Sequence, residues 1–326
     1  MISMSFASEA KKNLCRIKSE SLESQKSELS GLIRTNGQIH ILGKNKTNLT
    51  IRSENAAVAR LAFILFKKCF NVHTEIETMD NFRKHRKHSY IIKINDSTEI
   101  LEDLYILTKA NGFYQLTNRI NPVLIESSQQ KKAYLRGVFL GGGSVNDPHK
   151  SYHLELNVHN EMFAESLNLL LKTYDLNSRI IARKSNFVIY IKESDHIVKF
   201  LSIIGAHHSL LEFENVRAIK EVRNNVNRLV NCETANLTKT VDAAMRHVEA
   251  IENIMDQKGL DYLSEELQDL ALLRLANQEC SLTELSQLYD GKISKSSINY
   301  KLKKIEKISD EINKEENNNE ESINSK

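Results

Sequence analysis

The sequence lacks most of the short signatures that mark metal sites, nucleotide sites and hydrolases. Its 326 residues include two prolines, four cysteines and no tryptophan. Because Cys15, Cys69, Cys232 and Cys280 lie far apart, no CxxC or Cys/His ligand pattern is present, and we expect no structural zinc site. No GxxxxGK[ST], GxGxxG or GxSxG motif occurs, which excludes the common phosphate-loop, dinucleotide and α/β-hydrolase signatures.

Long apolar runs and a strong excess of one charge are absent as well. No stretch of about 18 apolar residues exists, so we expect no transmembrane helix. The first residues lack the apolar core of a secretory signal, which predicts a cytoplasmic protein with no membrane partner. The 45 Lys+Arg and 42 Asp+Glu residues give a net charge of +3, so any preference for nucleic acid must come from local clustering of charge.

Two parts of the chain, residues 25–110 and 131–205, show the same order of hydrophobic patterns. In each part a helix is followed by two strands, a second helix, two more strands and a closing helix, an order written αββαββα. An offset of 105 residues aligns the two parts and matches Asn55 with Asn160. The closing helix of the first part is predicted over 98–109, and a hairpin of the second part around Ser185-Asn186. These patterns predict an α+β domain, residues 25–208, built from a duplicated half.

The most specific local feature is the segment Leu135-Arg-Gly-Val-Phe-Leu-Gly-Gly-Gly-Ser-Val145, which has a counterpart in Leu29-Ser-Gly-Leu-Ile-Arg-Thr-Asn-Gly37. Both segments resemble the signature of the LAGLIDADG homing endonucleases. In that family the two motif helices pack against each other on a pseudo-twofold axis, which implies close backbone contact at Gly31 and Gly137. The glycine that ends each motif leads the chain into the first strand of its repeat.

The positions of that family's metal ligands are changed in this chain. LAGLIDADG endonucleases carry an acid just before the final glycine of each motif, and the two acids hold divalent metal at the scissile phosphates. The corresponding residues here are Asn36 and Gly142, so the resemblance implies the scaffold without its catalytic centre, with no metal and no cofactor. The open alternative is an active nuclease with relocated acids, for which Glu28 and Asp147 are the nearest candidates.

In the fold that the chain resembles, the strands of both repeats form a saddle for duplex DNA. Each repeat here has a basic hairpin at the equivalent place, and neither run contains an acid. The candidate phosphate contacts are Arg83, Lys84, Arg86 and Lys87 in the first repeat and Arg179, Arg183, Lys184 and Lys192 in the second. Two basic runs at matched positions favour phosphate contact over two unrelated solvated loops.

Residues 259–308 have the pattern of an all-α helix-turn-helix. Ser281 and Glu284 form a capping box at the start of a short helix, whose inward face is expected to carry Leu282, Leu285 and Leu288. Gly291 permits the turn, and the last helix is expected to bury Ile298, Leu302 and Ile305. The candidate DNA contacts on its other face are Lys295, Ser296, Ser297, Asn299, Tyr300, Lys301, Lys303 and Lys304. This arrangement resembles the DNA-binding end of sigma factors.

Three further segments complete the predicted organisation of the chain. Residues 1–24 are expected to be an N-terminal helical segment, 209–258 a helical linker and 309–326 a disordered acidic tail. Whether the Asn-rich stretch 225–236 contacts DNA or caps helices stays open from these patterns.

A degenerate LAGLIDADG domain followed by a helix-turn-helix resembles the WhiA family, bacterial regulators of sporulation and cell division. The resemblance covers nearly the whole chain and is most specific at residues 134–148, 227–237 and 293–302. It implies a nucleoid-associated protein that binds double-stranded DNA in cell division and chromosome segregation and acts as a transcription factor in some members. It implies no enzymatic activity, and proteins of the transcription or division machinery as further partners. The alternative is a module that mainly docks proteins, which base-edge chemistry on the last helix disfavours.

Overall fold

The computed structural model describes residues 5–42, 46–72, 74–81, 87–110, 112–289 and 293–324. The chain divides into two compact units, Met1–Lys220 and Glu221–Lys326. No helix in the described part of the chain is both long and apolar enough to cross a membrane.

The first unit begins with helix α1 (Phe6–Leu14) and continues with the first repeat. Its elements are α2 (Leu22–Asn36), β1 (Gly37–Leu42), β2 (Lys46–Ser53), α3 (Ala56–Phe70), β3 (Glu75–Asn81), β4 (Lys87–Ile94) and α4 (Thr98–Asp103). The strands form an antiparallel sheet in the order β1-β2-β4-β3.

The helix predicted over 98–109 is wrong beyond Asp103. Residues Leu107–Ala110 form strand β5 instead, which pairs with β6 (Phe113–Leu116) in a two-stranded hairpin. The helix ends because Tyr105 adopts a left-handed φ of 53° and the N–H of Ile106 donates back to the carbonyl of Leu101 at 2.8 Å. Leu104 and Leu107 are both buried here, and a spacing of three residues also suits the buried face of a helix, so the spacing could not distinguish helix from strand.

The second repeat follows a short 3₁₀ helix at Pro122–Ile125. Its elements are α5 (Ser128–Gly142), β7 (Gly143–Val145), β8 (Leu154–Val158), α6 (Glu161–Lys172), β9 (Arg179–Arg183), β10 (Asn186–Ile191) and α7 (Ser194–Ile204). The sheet order, β7-β8-β10-β9, is the order of the first repeat with each strand replaced by its counterpart. The duplicated αββαββα architecture predicted from the sequence is therefore confirmed.

The 105-residue offset between the repeats corresponds to equivalent helix starts. Asn55 caps α3 by accepting a hydrogen bond from the N–H of Ala57 at 3.0 Å, and Asn160 caps α6 by accepting one from Phe163 at 2.9 Å. An asparagine side chain at this position satisfies a donor that the first turn leaves free. The two asparagines that align the repeats are therefore N-caps of equivalent helices.

The hairpin of the second repeat turns one residue earlier than predicted. Asn186 is the first residue of β10 and pairs with Arg183, which leaves Lys184-Ser185 as a two-residue loop. Lys184 has a φ of 56°, the left-handed conformation that two-residue hairpins require.

The core of the first unit lies between the two sheets and the helices that cover them. Alternate residues of β8 point inward, so Leu154 and Leu156 are fully buried. Leu49 and Ile51 of β2 are 0% and 1% exposed in the same way. The strict alternation in sequence follows from the two-residue period of a strand with one buried face.

One helix, α8 (His207–Gln257), carries the chain from the first unit into the second over 51 residues. It contains no glycine or proline, and it is bounded by Gly205 and Gly259, whose φ values are 86° and 81°. The segment predicted as a linker with helices is accordingly a single helix. Residues 221–239 are exposed without exception.

The second unit contains the end of α8 and three further helices, α9 (Glu265–Ala276), α10 (Leu282–Leu288) and α11 (Lys295–Asn324). Its core is a separate apolar cluster that includes Ile251 and Ile254 of α8, Leu270 of α9 and Leu285 of α10. Helix α11 contributes Ile298, Leu302 and Ile305, all with no exposed surface.

Two predictions for this unit are wrong. Leu288 does not face inward but is 53% exposed, because α10 ends at this residue and the next residue, Tyr289, packs against the core in its place. The tail expected to be disordered from residue 309 continues α11 as far as Asn324. Ile312 is buried, and Asn253 of α8 donates to Ser309 at 2.7 Å and to Asn313 at 3.0 Å, so packing against α8 extends the helix.

Candidate nucleic-acid interface

The motif helices α2 and α5 pack with their backbones in contact. A Cβ atom on Gly31 would lie 2.5 Å from the carbonyl oxygen of Tyr134 and 3.0 Å from the amide nitrogen of Val138. A Cβ atom on Gly137 would overlap the carbonyl oxygen of Glu28. Both glycines therefore lie at a helix contact that has no room for a side chain.

The two positions that hold acids in LAGLIDADG endonucleases do not fit a metal here. Asn36, the last residue of α2, donates its amide to the carbonyl of Arg52 at 2.6 Å, so its side chain is used within the sheet. At Gly142 a Cβ atom would overlap the carbonyl oxygen of Asn157, so the backbone itself fills the ligand's place. Among the described residues no group of three or more His, Cys, Asp or Glu could hold a metal ion.

The proposed relocated acids are both committed to structural contacts. The carboxylate of Glu28 accepts hydrogen bonds from Arg136 Nε at 2.8 Å, Arg136 Nη2 at 2.9 Å and Ser19 Oγ at 2.9 Å, and its side chain is 1% exposed. Asp147 accepts from the N–H of His149 at 2.9 Å, which is turn chemistry. Glu28 is therefore enclosed in a buried ion pair, and Asp147 is part of a turn.

The exposed face of the second repeat's sheet carries basic side chains and one acid that the run of charges did not reveal. Arg179 and Arg183 lie on this face, and the ammonium of Lys192 sits 5.3 Å from the ring centre of Tyr190. Glu155 of β8 lies on the same face, 3.5 Å from Arg183 Nη1 and 2.7 Å from His153 Nε2. The basic hairpin is therefore partly neutralised from the neighbouring strand. The alternation of residues 153–158 could have shown this, because it places His153 and Glu155 on one face.

The first repeat's basic hairpin falls largely outside the described residues. Arg83, Lys84 and Arg86 are not described, and Lys87 is described only as the backbone start of β4. On the described part of this sheet, Arg52 is exposed, and Lys93 pairs with Glu77 at 2.7 Å.

Helix α11 separates a buried stripe from a polar face. At 100° per residue, Ser296, Tyr300 and Lys303 lie opposite the stripe formed by Ile298 and Leu302. Ser296, Lys303 and Lys304 are exposed and Tyr300 is 72% exposed, while Asn299, at the edge of this face, is half-buried. Lys295 at the helix start is also exposed, and Ser297 is half-buried, its N–H donating to Ser294 Oγ at 3.3 Å.

Lys301 differs from the other candidate contacts on this helix. Its ammonium lies 3.2 Å from the carboxylate of Glu266 and 5.5 Å from the ring centre of Tyr289, and its side chain is 17% exposed. Because this charge is already used within the unit, we exclude Lys301 from the proposed DNA contacts.

The short helix that precedes α11 is positioned by its cap and by a buried arginine. Ser281 N–H donates to Glu284 Oε2 at 2.7 Å and Glu284 N–H donates to Ser281 Oγ at 3.3 Å, so the capping box forms. Arg274, which the patterns missed, is 1% exposed and donates from Nη1 to the carbonyl of Cys280 at 2.7 Å and of Asn277 at 3.2 Å. It holds the turn between α9 and α10. Gly291 lies outside the described residues.

A buried histidine of α8 lies beside α11. His247 is 4% exposed, and its Nε2 lies 3.7 Å from the carboxylate of Glu306 on α11. Burial, with the positive charges of Arg274 and Arg246, lowers the pKa of His247 to about 4. The imidazole is therefore neutral at pH 7.

Three family models match this chain in consecutive segments. The WhiA N-terminal LAGLIDADG-like domain matches residues 22–107, the WhiA LAGLIDADG-like domain 131–223 and the WhiA C-terminal HTH domain 226–309. Together these segments span both repeats and the helix-turn-helix.

Curated relatives and a solved structure match over nearly the full length. "Probable cell division protein WhiA" of Thermoanaerobacter sp. (strain X514) is 46% identical over 312 residues, 95% of this chain and 98% of the relative. The protein of the same name from Clostridium novyi (strain NT) is 44% identical over 315 residues, 96% of this chain and 99% of the relative. The crystal structure of full-length DUF199/WhiA from Thermatoga maritima is 30% identical, with a TM-score of 0.57, and covers 94% of this chain and 99% of that chain.

Proposed function

Because the chain belongs to the WhiA family, we propose that it is a DNA-binding regulator of cell division and chromosome segregation, that it acts as a transcription factor, and that it catalyses no reaction. Its relatives are named for cell division, which supports that part of the proposal. In the cell we expect it in the cytoplasm, associated with the nucleoid. Proteins of the transcription or division machinery are its proposed further partners.

The observation that carries the proposal is the division of α11 into two faces. The burial of Ile298, Leu302 and Ile305 fixes which face of the helix points away from the core. Ser296, Asn299 and Tyr300 lie close to the N-terminus of the helix, outside this buried stripe. In helix-turn-helix proteins the N-terminal residues of the second helix meet base edges in the major groove. Asparagine pairs with adenine through two hydrogen bonds, and serine can donate or accept. Lys303 and Lys304 lie further along the helix and suit phosphates.

The absence of catalysis is supported by the two ends of the motif helices. Asn36 is bonded to Arg52, and the backbone of Asn157 occupies the space beside Gly142. Two-metal phosphodiester cleavage needs anionic oxygens that hold both ions at the scissile phosphate. Of the two candidate replacements, Glu28 is enclosed by Arg136 and Ser19, and Asp147 accepts a hydrogen bond within a turn from the N–H of His149.

The sheet faces are proposed to add affinity that is independent of sequence. Arg179 and Lys192 are exposed on the second repeat, and their charges suit phosphate contact. Arg183 shares its charge with Glu155, so we expect it to contribute less than they do.

Mapping of chromosomal binding sites by crosslinking and sequencing tests the proposal. The unaltered protein should give discrete peaks, and the variant Ser296→Ala/Asn299→Ala should lose most of them at equal protein level. A matched control, Lys307→Ala, changes an exposed residue on the same helix further from its start and should keep the peaks. Peaks that persist in the double variant would show that α11 is not the reader, and association with a partner protein would then explain the pattern.

A further inference from the structure

The asparagine-rich middle of α8 lies far from either end of the helix. Five asparagines fall between Glu221 and Lys239, while α8 itself runs from His207 to Gln257. They therefore do not cap a helix end, which is one of the two roles that the sequence left open. Asparagine is a weak helix former and every residue of this stretch is exposed, so the stability of α8 does not explain these asparagines either.

One polar face of this stretch contains seven residues, all of them exposed. At 100° per residue they fall within an arc of roughly 120° and span roughly 22 Å along the helix. Glu221 and Asp242 lie beyond the two ends of this face, and Glu233, the one acid between them, lies roughly 180° from Asn224 around the axis. We call the seven residues the amide face of α8: Asn224, Asn227, Arg228, Asn231, Ala235, Thr238 and Lys239.

The long polar side chains of the amide face are not used within the chain. Among the described residues, no hydrogen bond or ion pair is made by the side chains of Asn224, Asn227, Arg228, Asn231 or Lys239. Each asparagine amide can both donate and accept, and no acid of the face offsets the two cations. The face is therefore complementary to a polyanion that presents donors and acceptors side by side.

The composition of the amide face favours duplex DNA over protein and RNA. Protein interfaces centre on buried apolar and aromatic side chains, and the largest apolar side chain of this face is that of Ala235. Single-stranded RNA is held by stacking on aromatic rings, which the face lacks, and the major groove of duplex RNA is too narrow for side chains to read. The major groove of B-form DNA admits an α-helix, and asparagine pairs with adenine there through two hydrogen bonds.

We propose that the amide face of α8 is a second DNA contact of this protein, in which the asparagines meet base edges and Arg228 and Lys239 meet phosphates. This inference rests on the proposed function, because it assigns further contacts to the same DNA-binding protein. The amide face and α11 belong to the same compact unit, Glu221–Lys326. The bound site is then longer than the one that α11 alone covers.

Fluorescence anisotropy of the full-length protein on a genomic target, over a series of salt concentrations, tests the inference. Arg228→Ala/Lys239→Ala should make the slope of log binding constant against log salt concentration shallower by about 1.8, at roughly 0.9 per lost phosphate contact. Asn227→Ala/Asn231→Ala should weaken binding roughly ten-fold and leave the slope unchanged, because the amides carry no charge.

A matched control separates the amide face from the rest of the helix. Asn225→Ala/Asn236→Ala removes two asparagines that lie roughly 120° or more from Asn227 and Asn231, and it should bind like the unaltered protein. Alanine is the strongest helix former, so circular dichroism should show no loss of helix in any of these variants. A control that weakens binding as much as Asn227→Ala/Asn231→Ala would contradict the assignment of this face.

Failure of this inference can be distinguished from failure of the proposed function. An unaltered protein that binds no genomic duplex contradicts both. The inference alone is overturned if Ser296→Ala/Asn299→Ala abolishes binding to the target while both variants of the amide face keep the affinity and the salt slope of the unaltered protein.

Discussion

Replacing Glu28 by leucine removes one half of a buried ion pair that joins the two motif helices. The side chains of Glu28 and Arg136 are 1% and 8% exposed, and two hydrogen bonds of 2.8 and 2.9 Å connect them. Ser19 completes the group, since it donates to Glu28 at 2.9 Å and accepts from Arg136 at 2.6 Å. Without Glu28, the guanidinium stays buried with no carboxylate partner.

The expected loss follows from that unpaired charge. Breaking a buried pair by removing one partner costs about 3–5 kcal/mol. For a unit of this size, 1 kcal/mol corresponds to roughly 2–4 °C in Tm, so the transition of the first unit should fall by about 6–20 °C. Replacing both partners by apolar residues, Glu28→Leu with Arg136→Met, leaves no buried charge and should recover most of that loss.

Differential scanning calorimetry of the full-length variants measures these shifts. Glu77→Gln is a suitable control, because it breaks the exposed Glu77–Lys93 pair and should cost no more than about 1 kcal/mol. Arg136→Met is measured alone as well. If the loss of the double variant equals the sum of the losses of Glu28→Leu and Arg136→Met, the two residues are not coupled and this account of the motif-helix contact is refuted.

Three further predictions concern catalysis, phosphate contact and pH. With Mg²⁺ or Mn²⁺ the purified protein should leave supercoiled DNA intact, and metal-dependent cleavage that disappears in Asp147→Ala would contradict the structural assignment of that residue. The variant with alanine at Arg83, Lys84, Arg86 and Lys87 tests phosphate contact by the first hairpin. The slope of log binding constant against log salt concentration should become shallower by about 3.6, at roughly 0.9 per lost phosphate contact. An unchanged slope would show that these residues do not contact phosphates. Because the pKa of His247 is lowered to about 4 in the folded state from an ordinary value near 6.5, the second unit should lose up to roughly 3 kcal/mol of stability as pH falls from 6.5 to 4. His247→Leu should flatten that dependence in urea titrations at several pH values, and an unaltered slope would exclude His247 as its cause.

The element order could be predicted because each element has a simple periodic cause. The alternation of residues 153–158 follows from a strand with one buried face, and Ile298, Leu302 and Ile305 mark the buried stripe of α11. Asn55 and Asn160 could be aligned because both cap a helix. In each case the local pattern and the tertiary contact impose the same requirement.

The failures occurred where local pattern and tertiary contact differ. A spacing of three between Leu104 and Leu107 suits a helix, but Tyr105 turns left-handed and the chain forms β5. The composition of the tail suggests disorder, but packing of Ile312 against α8 extends the helix.

Long-range partners were equally hidden from the local pattern. In sequence Lys301 looks like the other lysines of α11, because its partners lie on other elements. Glu266 is on α9 and Tyr289 directly follows α10. Arg274 could not be recognised because its acceptors are backbone carbonyls, which leave no mark on composition.

The central claim is that α11 reads DNA sequence, and comparison of Asn299→Ala with Lys303→Ala tests it most directly. Each variant is titrated against a genomic target and a scrambled duplex at one salt concentration. We predict that Asn299→Ala loses about 1–3 kcal/mol on the target and little on the scrambled duplex, whereas Lys303→Ala weakens both duplexes together. If Asn299→Ala weakens both duplexes equally, or neither, α11 is not the reader and the claim is contradicted.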